Sequence, residues 1–491
     1  MGPGTLHHGA VGTKGNPFIL ASFSGRYYDR RPDEQGVARV SRSWRIIGLI
    51  WVGLLGMALC GCQALPPIDT AGGIARAALI DSAIAWHTAG QAIDAPGDED
   101  VLSLAAATEL AVRNSPELQT ALWKVRSAEA DAKQERLLPN PVLAFTIRFV
   151  EGGGKPALEA SIAQDLLALL RRGPKISVAD DRLRAASAEA LKEAADLIAE
   201  AQQGYLAAAI VDEELAILAR RRQLFDRLLE TARTRLKAGE GTRLDVTTLE
   251  AQRIELDADV ADKEAERTDQ RLGLARLIGR PGGRTDWALD RSVLPIAAAG
   301  SEQECIAAAL EHRPELESRR WELAALATEV ELARWSIFEP TDIGVMSQRD
   351  PDWQAGPSIS APLPIFDNGG AKRDKAQAAR VEAVHLLVAT QRQVIEEVRK
   401  AYAALIFARA AVALTGDQLL PLLEQRREQA EAAYKAGESD LATFLLAEDS
   451  LQASRFKWVE LREKAGVAWV KLERAVGGRG AAAKLAPATQ P

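Results

Sequence analysis

The sequence has few of the residues that build disulfide frameworks, metal centres and aromatic cores. Its 491 residues include three cysteines and five histidines, and aromatic residues account for 5%. Three cysteines are too few for a disulfide framework. The histidines and cysteines also lack the paired spacing of a structural or catalytic zinc site. We therefore expect no metal centre and no other cofactor.

Basic residues do not outnumber acidic ones. The formal net charge is −7, and residues of both signs are mixed along the chain. Nucleic-acid-binding proteins instead carry a basic patch or stripe, so we expect no nucleic acid partner. The sequence also lacks a nucleophile, base and orienting residue grouped as in an enzyme active site. We therefore expect no enzyme activity.

One apolar segment near the N-terminus has the features of an export signal. Arg39, Arg42 and Arg45 precede the apolar residues 46–60. This run is shorter than the about 20 residues of a membrane-spanning helix, and its basic flank is typical of a signal peptide. An ordinary buried helix is the alternative. The sequence does not decide whether residues 1–38 are translated.

The apolar segment ends in Leu59-Cys60-Gly61-Cys62, which resembles the lipobox of bacterial lipoproteins. In a lipobox, a cysteine thiolate accepts diacylglycerol before the signal peptide is cleaved. The resemblance predicts lipidation at Cys62 and removal of residues 1–61. Cys60 is a poorer acceptor, because Leu59 rather than a small residue would precede it.

The chain contains an internal repeat. Asn-Ser-Pro-Glu-Leu at 114–118 is matched by His-Arg-Pro-Glu-Leu at 312–316, and Lys-Ala-Gly-Glu at 237–240 recurs at 435–438, each 198 positions later. Self-similarity at one spacing indicates repeated structural units. The predicted organisation is an N-terminal extension and signal peptide (1–61), a periplasmic linker (62–100), a first repeat (101–285), a second repeat (286–476) and a disordered tail (477–491).

Each repeat is predicted to contain the same elements in the same order. The predicted helices span 101–136, 175–236 and 243–278, then 302–335, 372–434 and 440–475. The predicted strands span 142–150 and 157–166, then about 341–348 and 356–363. Along the first strand, Leu143, Phe145, Ile147 and Phe149 share one face, which is the period of two of a β-strand.

The long central helices have coiled-coil spacing. Apolar or small residues of the first recur at steps of four and three: Leu197, Ala201, Gly204, Ala208, Val211, Leu215 and Leu218. Such spacing packs helices side by side. At 1.5 Å per residue, each long helix would extend roughly 90 Å.

The four predicted strands have the length of tilted membrane-spanning strands, about 9–11 residues. Open sheet edges are not tolerated in lipid, and bacterial barrels begin at about eight strands. The chain must therefore oligomerise, or its strands do not cross a membrane. Three copies would supply about twelve strands, enough for a barrel.

The repeated order of helix, hairpin, long helix, tip and return helix behind a lipoprotein signal resembles the TolC-like outer-membrane factors. The resemblance covers about residues 100–476, and the tip sequence 235–246 and both Pro-Glu-Leu segments are similar to that family's patterns. It implies a mainly α fold with a small transmembrane β part. Three copies would form a twelve-stranded β-barrel in the outer membrane on a periplasmic α-helical barrel.

The same resemblance implies a function and partners. The protein would be a lipid-anchored channel subunit in the outer-membrane lipid, extending into the periplasm and passively conducting cargo outward. Its partners would be two further copies of itself, a periplasmic adaptor and an inner-membrane pump of the RND or ABC type. The sequence does not identify the cargo, whether drug, metal cation or protein, or the pump class.

In the family, two helical tips contact the adaptor. By position, the resemblance implies adaptor contacts at Gly239, Thr242, Asp245, Val246, Gly437, Leu441, Thr443 and Phe444. The glycine after each long helix permits a left-handed turn. The alternative is that both glycines are only helix C-caps and that Asp245 is only a charge favoured by the helix dipole.

Some family members narrow the periplasmic aperture with aspartates on the second return helix. Those positions fall on Thr443 and Leu446 here, so the sequence departs from that pattern. Asp440, Glu448 and Asp449 lie nearby and are candidate aperture charges. A solvated helix face is the alternative.

A lipid-anchored periplasmic coiled-coil protein without a pore is the alternative function. It would account for the heptads and for Cys62, but not for alternating segments at matched positions of both repeats. A periplasmic adaptor is disfavoured, because no glycine- and valine-rich strand region flanks a hairpin.

Overall fold

The computed structural model of the chain describes residues 68–78, 84–87, 100–149, 156–290, 300–349 and 352–478. The predicted signal peptide, Cys62 and the tail from residue 479 lie outside the described residues. Most of the predicted linker lies outside them as well.

The described chain is mainly helical, which confirms the predicted fold class at that level. Its helices are α1 (Thr70–Ala78), α2 (Leu104–Asn114), α3 (Pro116–Glu135), α4 (Leu166–Ala238), α5 (Arg243–Leu277), α6 (Glu302–His312), α7 (Pro314–Trp335), α8 (Gly370–Ala413), α9 (Leu420–Ala436) and α10 (Leu441–Ala475). A 3-10 turn at Ser336–Phe338 follows α7, and a π-helical turn at Leu414–Leu419 joins α8 to α9.

Proline divides the first helix of each half in two. The Ser115 side chain accepts the N–H of Leu118 (3.1 Å), and Pro116 occupies the first position of α3. Pro314 also occupies the first position of α7, after the extended residue Arg313, whose side chain does not cap the helix. The single helices predicted at 101–136 and 302–335 are therefore wrong. Proline has no N–H to continue the preceding helix, and it disfavours helical backbone at the residue before it.

The first long helix begins earlier than predicted. Asp165 caps α4 by accepting the N–H of Ala168 (2.9 Å), so the helix starts at Leu166 and contains Pro174. Its 73 residues extend about 110 Å at 1.5 Å per residue.

The second long helix runs through the π-helical turn into α9. Pro421 follows this turn closely and cannot donate a hydrogen bond to the residue four positions earlier, which favours a local change of helix type. A Cβ on Gly416, inside the turn, would lie 2.5 Å from Nε1 of Trp458. Glycine is therefore needed where the indole packs against the turn.

Four strands form one antiparallel sheet in the order β2-β3-β5-β6. They are β2 (Val142–Arg148), β3 (Ala157–Asp165), β5 (Asp342–Arg349) and β6 (Trp353–Ser360). The predicted strands are confirmed with small shifts at their ends: the first ends at Arg148, short of the predicted residue 150, and the fourth begins and ends three residues earlier than predicted. Pro362 and Pro364 have no N–H for a ladder, so pairing stops at Ser360. Within the chain, β2 and β6 are edge strands.

The strand register separates the side chains of this sheet into two unlike faces. Residues directly opposite each other in an antiparallel pair lie on the same face. One face is apolar apart from Gln164, Ser347 and Arg349, and consists chiefly of Leu143, Phe145, Ile147, Leu158, Ile162, Ile343, Val345, Trp353 and Ile359. The other face has small and polar residues, including Ala144, Thr146, Arg148, Glu159, Ser161, Gly344, Gln348, Gln354 and Ser358.

A second, two-stranded parallel pair was not predicted. It joins β1 (Val101–Leu102) to β4 (Ala288–Leu289) across the first half of the chain. The hydroxyl of the buried Tyr205 contacts the carbonyl oxygens of Leu102 (2.9 Å) and Asp290 (3.1 Å). This hydrogen bonding attaches both short strands to α4.

A buried ion pair joins α4 to α5. The guanidinium of Arg271 donates to Asp212 (2.7 Å) and to the carbonyl oxygens of Thr285 (2.5 Å) and Trp287 (2.9 Å). Arg267 donates to the other oxygen of Asp212 (2.8 Å). Asp212 and Arg271 are both buried, so neither charge can be rehydrated if its partner is lost.

We expect Asp212→Ala to lower the free energy of unfolding by about 3–5 kcal/mol, because it leaves Arg271 as an unpaired buried charge. Glu200→Ala is the matched control. It breaks the exposed pair between Glu200 and Arg276 (3.1 Å), and exposed pairs contribute at most about 1 kcal/mol. Guanidinium unfolding of the detergent-solubilised protein, followed by helical circular dichroism, measures both. Equal losses would contradict the assignment.

Candidate functional site at the helical tips

The two long helices end in the same hydrogen-bonded turn. Gly239 has φ 79° and donates to the carbonyl oxygen of Leu236 (3.1 Å), while Glu240 donates to that of Arg235 (2.9 Å). At the second tip, Gly437 has φ 74° and donates to Tyr434 (3.2 Å). Both turns are Schellman motifs, in which glycine adopts the left-handed conformation at low cost. The left-handed turns predicted at both glycines are confirmed.

Polar residues after each glycine start the return helices. Thr242 and Asp245 form a reciprocal capping box: the Asp245 N–H donates to Oγ1 of Thr242 (3.1 Å), and the Thr242 N–H donates to Asp245 (3.2 Å). At the second tip, Asp440 caps α10 by accepting the N–H of Thr443 (3.0 Å). These side chains satisfy N–H groups that have no partner inside the helix.

An arginine and a tyrosine join the two tips. Arg235 donates from Nη1 to the carbonyl oxygen of Tyr434 (3.1 Å), and its guanidinium carbon lies 5.2 Å from the centre of the tyrosine ring. The same ring stacks against Phe444, with centroids 6.2 Å apart. Neither Arg235 nor Tyr434 was assigned a role from the sequence, although Arg235 begins the tip sequence. Their only signal was a position in the last turn before each tip glycine.

Behind this contact lies an apolar cluster shared by four helices. Its buried members are Leu218, Phe225, Leu228, Ala232, Leu249, Leu256, Tyr434, Leu441, Phe444 and Leu445. They come from α4, α5, α9 and α10, so the hairpins of both halves share one core near their tips. Val246 packs against the edge of this cluster.

The structure separates the predicted tip residues into two groups. Leu441 and Phe444 are buried in the shared cluster, and Asp245 and Val246 are partly buried. The exposed predicted tip residues are Gly239, Thr242, Gly437 and Thr443. An exposed apolar side chain that was not predicted, Leu244, lies beside them with 73% of its surface accessible.

The three candidate aperture charges lie in different surroundings. Asp440 is exposed and caps α10. Glu448 is 1% exposed, and its Oε1 accepts a hydrogen bond from Gln452 (2.7 Å). Asp449 forms an ion pair with Arg221 (2.5 Å). In this conformation they do not form one exposed cluster of charge.

Capping makes the second tip sensitive to acid. Hydrogen bonds from the hydroxyl and N–H of Thr443 hold the pKa of Asp440 below its usual range. A carboxylate whose pKa is depressed by folding stabilises the fold above its unfolded pKa, and this contribution is lost as the pH falls through the folded pKa.

We therefore expect hydrogen-exchange protection at the start of α10 to be full above about pH 4 and to fall at lower pH. Asp440→Asn should remove this step, because asparagine does not titrate. Ser103, which caps α2 through the N–H of Ala106 (3.1 Å), supplies a non-titrating reference in the same molecule. A step of equal size in Asp440→Asn would contradict the assignment.

Comparisons with known proteins agree with this architecture. Residues 305–478 match the family model for outer membrane efflux proteins. The chain is 22% identical to the cobalt-zinc-cadmium resistance protein CzcC of Cupriavidus metallidurans, over 77% of this chain and 90% of that protein. It is 25% identical to the pyoverdine export outer membrane protein OpmQ of Pseudomonas aeruginosa, over 75% of this chain and 83% of that protein.

The fold is shared with solved outer-membrane channels. The open-state MtrE outer membrane channel of Neisseria gonorrhoeae matches with a TM-score of 0.62 at 19% identity, over 85% of this chain and 98% of that one. The family match, the two relatives and the fold point to one assignment. Residues 305–478 carry an outer membrane efflux protein domain, and most of the chain is similar in sequence and in fold to outer-membrane efflux proteins, which are non-enzymatic transport components.

Proposed function

We propose that this protein is the outer-membrane channel subunit of a tripartite efflux or secretion system. Three copies conduct cargo passively from a periplasmic adaptor and an inner-membrane pump to the exterior. The observation that carries this proposal is the four-stranded sheet with one apolar face and two unpaired edges.

The sheet supports a closed barrel built from several copies. Its apolar face suits contact with lipid, and its small and polar face suits a water-filled lumen. Strands β2 and β6 run in opposite directions because each neighbouring pair is antiparallel. Strand β6 of one copy therefore meets β2 of the next in antiparallel pairing. Three copies supply about twelve strands and leave no edge in the membrane.

The second long helix supports lateral association of the same copies. The stretch Gly370–Ala436 is long and apolar enough to cross a membrane by length and composition, and only 11% of its most apolar part is buried. Its exposed side chains include Val381, Val384, Leu386, Val388, Ile406 and Phe407. In the proposed trimer this apolar surface packs against a neighbouring copy instead of lipid.

The tips are the proposed adaptor-binding surface. Gly239, Thr242, Gly437 and Thr443 contribute exposed backbone and polar surface, and Leu244 contributes an apolar side chain. This surface is supported by the residues beneath it. Asp245 belongs to the capping box, Val246 packs against the shared cluster, and Leu441 and Phe444 are buried in that cluster. Residues 101–285 and 286–476 then act as two units, each presenting one tip.

Anchoring and cargo complete the proposal. A lipid on Cys62 would hold the protein in the outer membrane, in addition to the strands. The two relatives are named differently, one for resistance to cobalt, zinc and cadmium and the other for export of pyoverdine. These names assign neither a cargo nor a pump class to this chain.

The proposal is tested by the native mass and the single-channel conductance of the detergent-extracted protein. A trimer that opens a pore in planar bilayers supports a channel subunit. A monomer or dimer that never conducts would contradict the proposed channel function and favour a lipid-anchored coiled-coil protein without a pore.

A second prediction concerns the contact between the tips. In the proposed channel, the contact between Arg235 and Tyr434 holds the two tips together in the closed state. Arg235→Ala should therefore raise the frequency of the open state by about tenfold, because a hydrogen bond from a charged group contributes about 1.5 kcal/mol. Arg233→Ala is the matched control, since Arg233 pairs with Glu250 (2.7 Å) inside the first hairpin and does not join the two tips. The same bilayer recordings measure both variants. An effect in Arg233→Ala equal to that in Arg235→Ala would rule out a specific link between tips.

A further inference from the structure

We propose that two short loops flanking the sheet edges form an apolar contact between neighbouring copies of this chain, at the junction of sheet and helices. The pre-strand loop is residues 136–141, before β2. The post-strand loop is residues 361–369, between β6 and α8. This inference rests on the proposed assembly and specifies a contact surface within it.

The post-strand loop presents apolar side chains to solvent. Leu363 and Ile365 are exposed, and Phe366 is 100% exposed, the most accessible large apolar side chain among the described residues. Three large apolar groups on nearby positions are uncommon on a monomer surface and indicate a binding partner.

This loop is held in a fixed conformation. Ile365 donates to the carbonyl oxygen of Leu363 (2.8 Å), and the side chain of Asp367 accepts the N–H of Gly369 (2.8 Å). Gly369 has φ 70°, and a Cβ there would lie 2.1 Å from Cγ2 of Ile337. The close approach of backbone to Ile337 fixes the end of the loop. The apolar side chains are therefore displayed by ordered backbone, which lowers the entropic cost of binding.

The pre-strand loop is fixed and apolar as well. Nη2 of Arg136 donates to both carboxylate oxygens of Asp180 (2.7 and 2.8 Å), and Gln164 donates to the carbonyl oxygen of Pro139 (2.8 Å). Between these anchors, Leu137 and Leu138 are exposed. Both loops are thus hydrogen-bonded to their own chain and expose apolar side chains to solvent.

The topology determines which partner covers them. The pre-strand loop leads into β2 and the post-strand loop leaves β6, the two unpaired edges of the sheet. When β6 of one copy pairs antiparallel with β2 of the next, the end of β6 lies beside the start of β2. Phe366 and its neighbours then meet Leu137 and Leu138 of the adjacent copy. The occupant is a second copy of this chain, because the loops directly continue the edges that require pairing.

Cysteine crosslinking tests this contact. In Leu138→Cys/Phe366→Cys, a short bismaleimide applied to the detergent-extracted trimer should give covalent dimer and trimer on denaturing gels. Ile254→Cys/Phe366→Cys is the matched control. Ile254 is more exposed than Leu138 but lies on α5 toward the tips, so this pair should give no crosslinked trimer.

A second variant measures the energetic role of the loop. Phe366→Ser should raise the dissociation constant of the trimer by at least about tenfold. Burial of one large apolar side chain contributes a free energy that corresponds to a tenfold or greater change in affinity. Phe366→Leu should retain most of the affinity, since it keeps an apolar group at the same place.

The outcomes separate this inference from the proposed function. A native trimer in which both introduced thiols are freely labelled and never crosslink would overturn the contact and leave the channel intact. In the Phe366→Cys variant, quenching of a fluorophore attached at position 366 by spin-labelled phospholipid would assign the loop to lipid and would also overturn the contact. A native monomer of the unaltered chain would overturn the assembly itself.

Discussion

Close packing against α4 is the interaction on which the described structure depends. Helices α1, α2, α3, α5, α7 and α10 all contact this one helix. Many of its buried positions are alanine, including Ala188, Ala190, Ala194, Ala201 and Ala208. Gly204 lies so close to Leu277 that a Cβ would sit 2.8 Å from its side chain. Small side chains bring helix axes together, and a packed interior does not tolerate added volume without strain.

Because α4 contacts helices of both halves, it couples the sheet at one end to the tips at the other. Its first turn follows β3 directly, and its last turn carries Arg235. Ion pairs connect the halves along its length: Arg182 with Glu329, Arg221 with Asp449, and Arg474 with Asp196. A rotation of the second hairpin at the tips would therefore disturb contacts with a continuous helix rather than bend a flexible joint.

Sequence patterns predicted those parts of the fold that depend on neighbours along the chain. The alternation of Leu143, Phe145 and Ile147 was sufficient for a strand, because the period of two is a local property. Gly239 and Gly437 were identified as left-handed turns for the same kind of reason. The break at Pro116 was missed although Ser115 is a strong cap, because amphipathic spacing continues on both sides of it.

The candidate site was predicted less completely than the fold. The contact between Arg235 and Tyr434 joins residues 199 positions apart, and no local pattern indicates which distant carbonyl a guanidinium will reach. Phe444 was placed at the tip by its position in the repeat, but its exposure depends on how α4, α5, α9 and α10 pack around it. The exposed Leu244 was overlooked because a single leucine in a polar turn carries no periodic signal.

The even number of strands has a consequence for assembly. In a four-stranded antiparallel sheet, the chain enters the first strand and leaves the last one at the same end of the sheet. The two edge strands, β2 and β6, are different surfaces. In the proposed assembly, copies would therefore join head to tail, and such an interface generates a ring only when the rotation between neighbours closes. Strand pairing alone accepts any number of copies. In the proposed assembly, the geometry with which the helices pack against one another, and not the sheet, would determine how many subunits complete the ring.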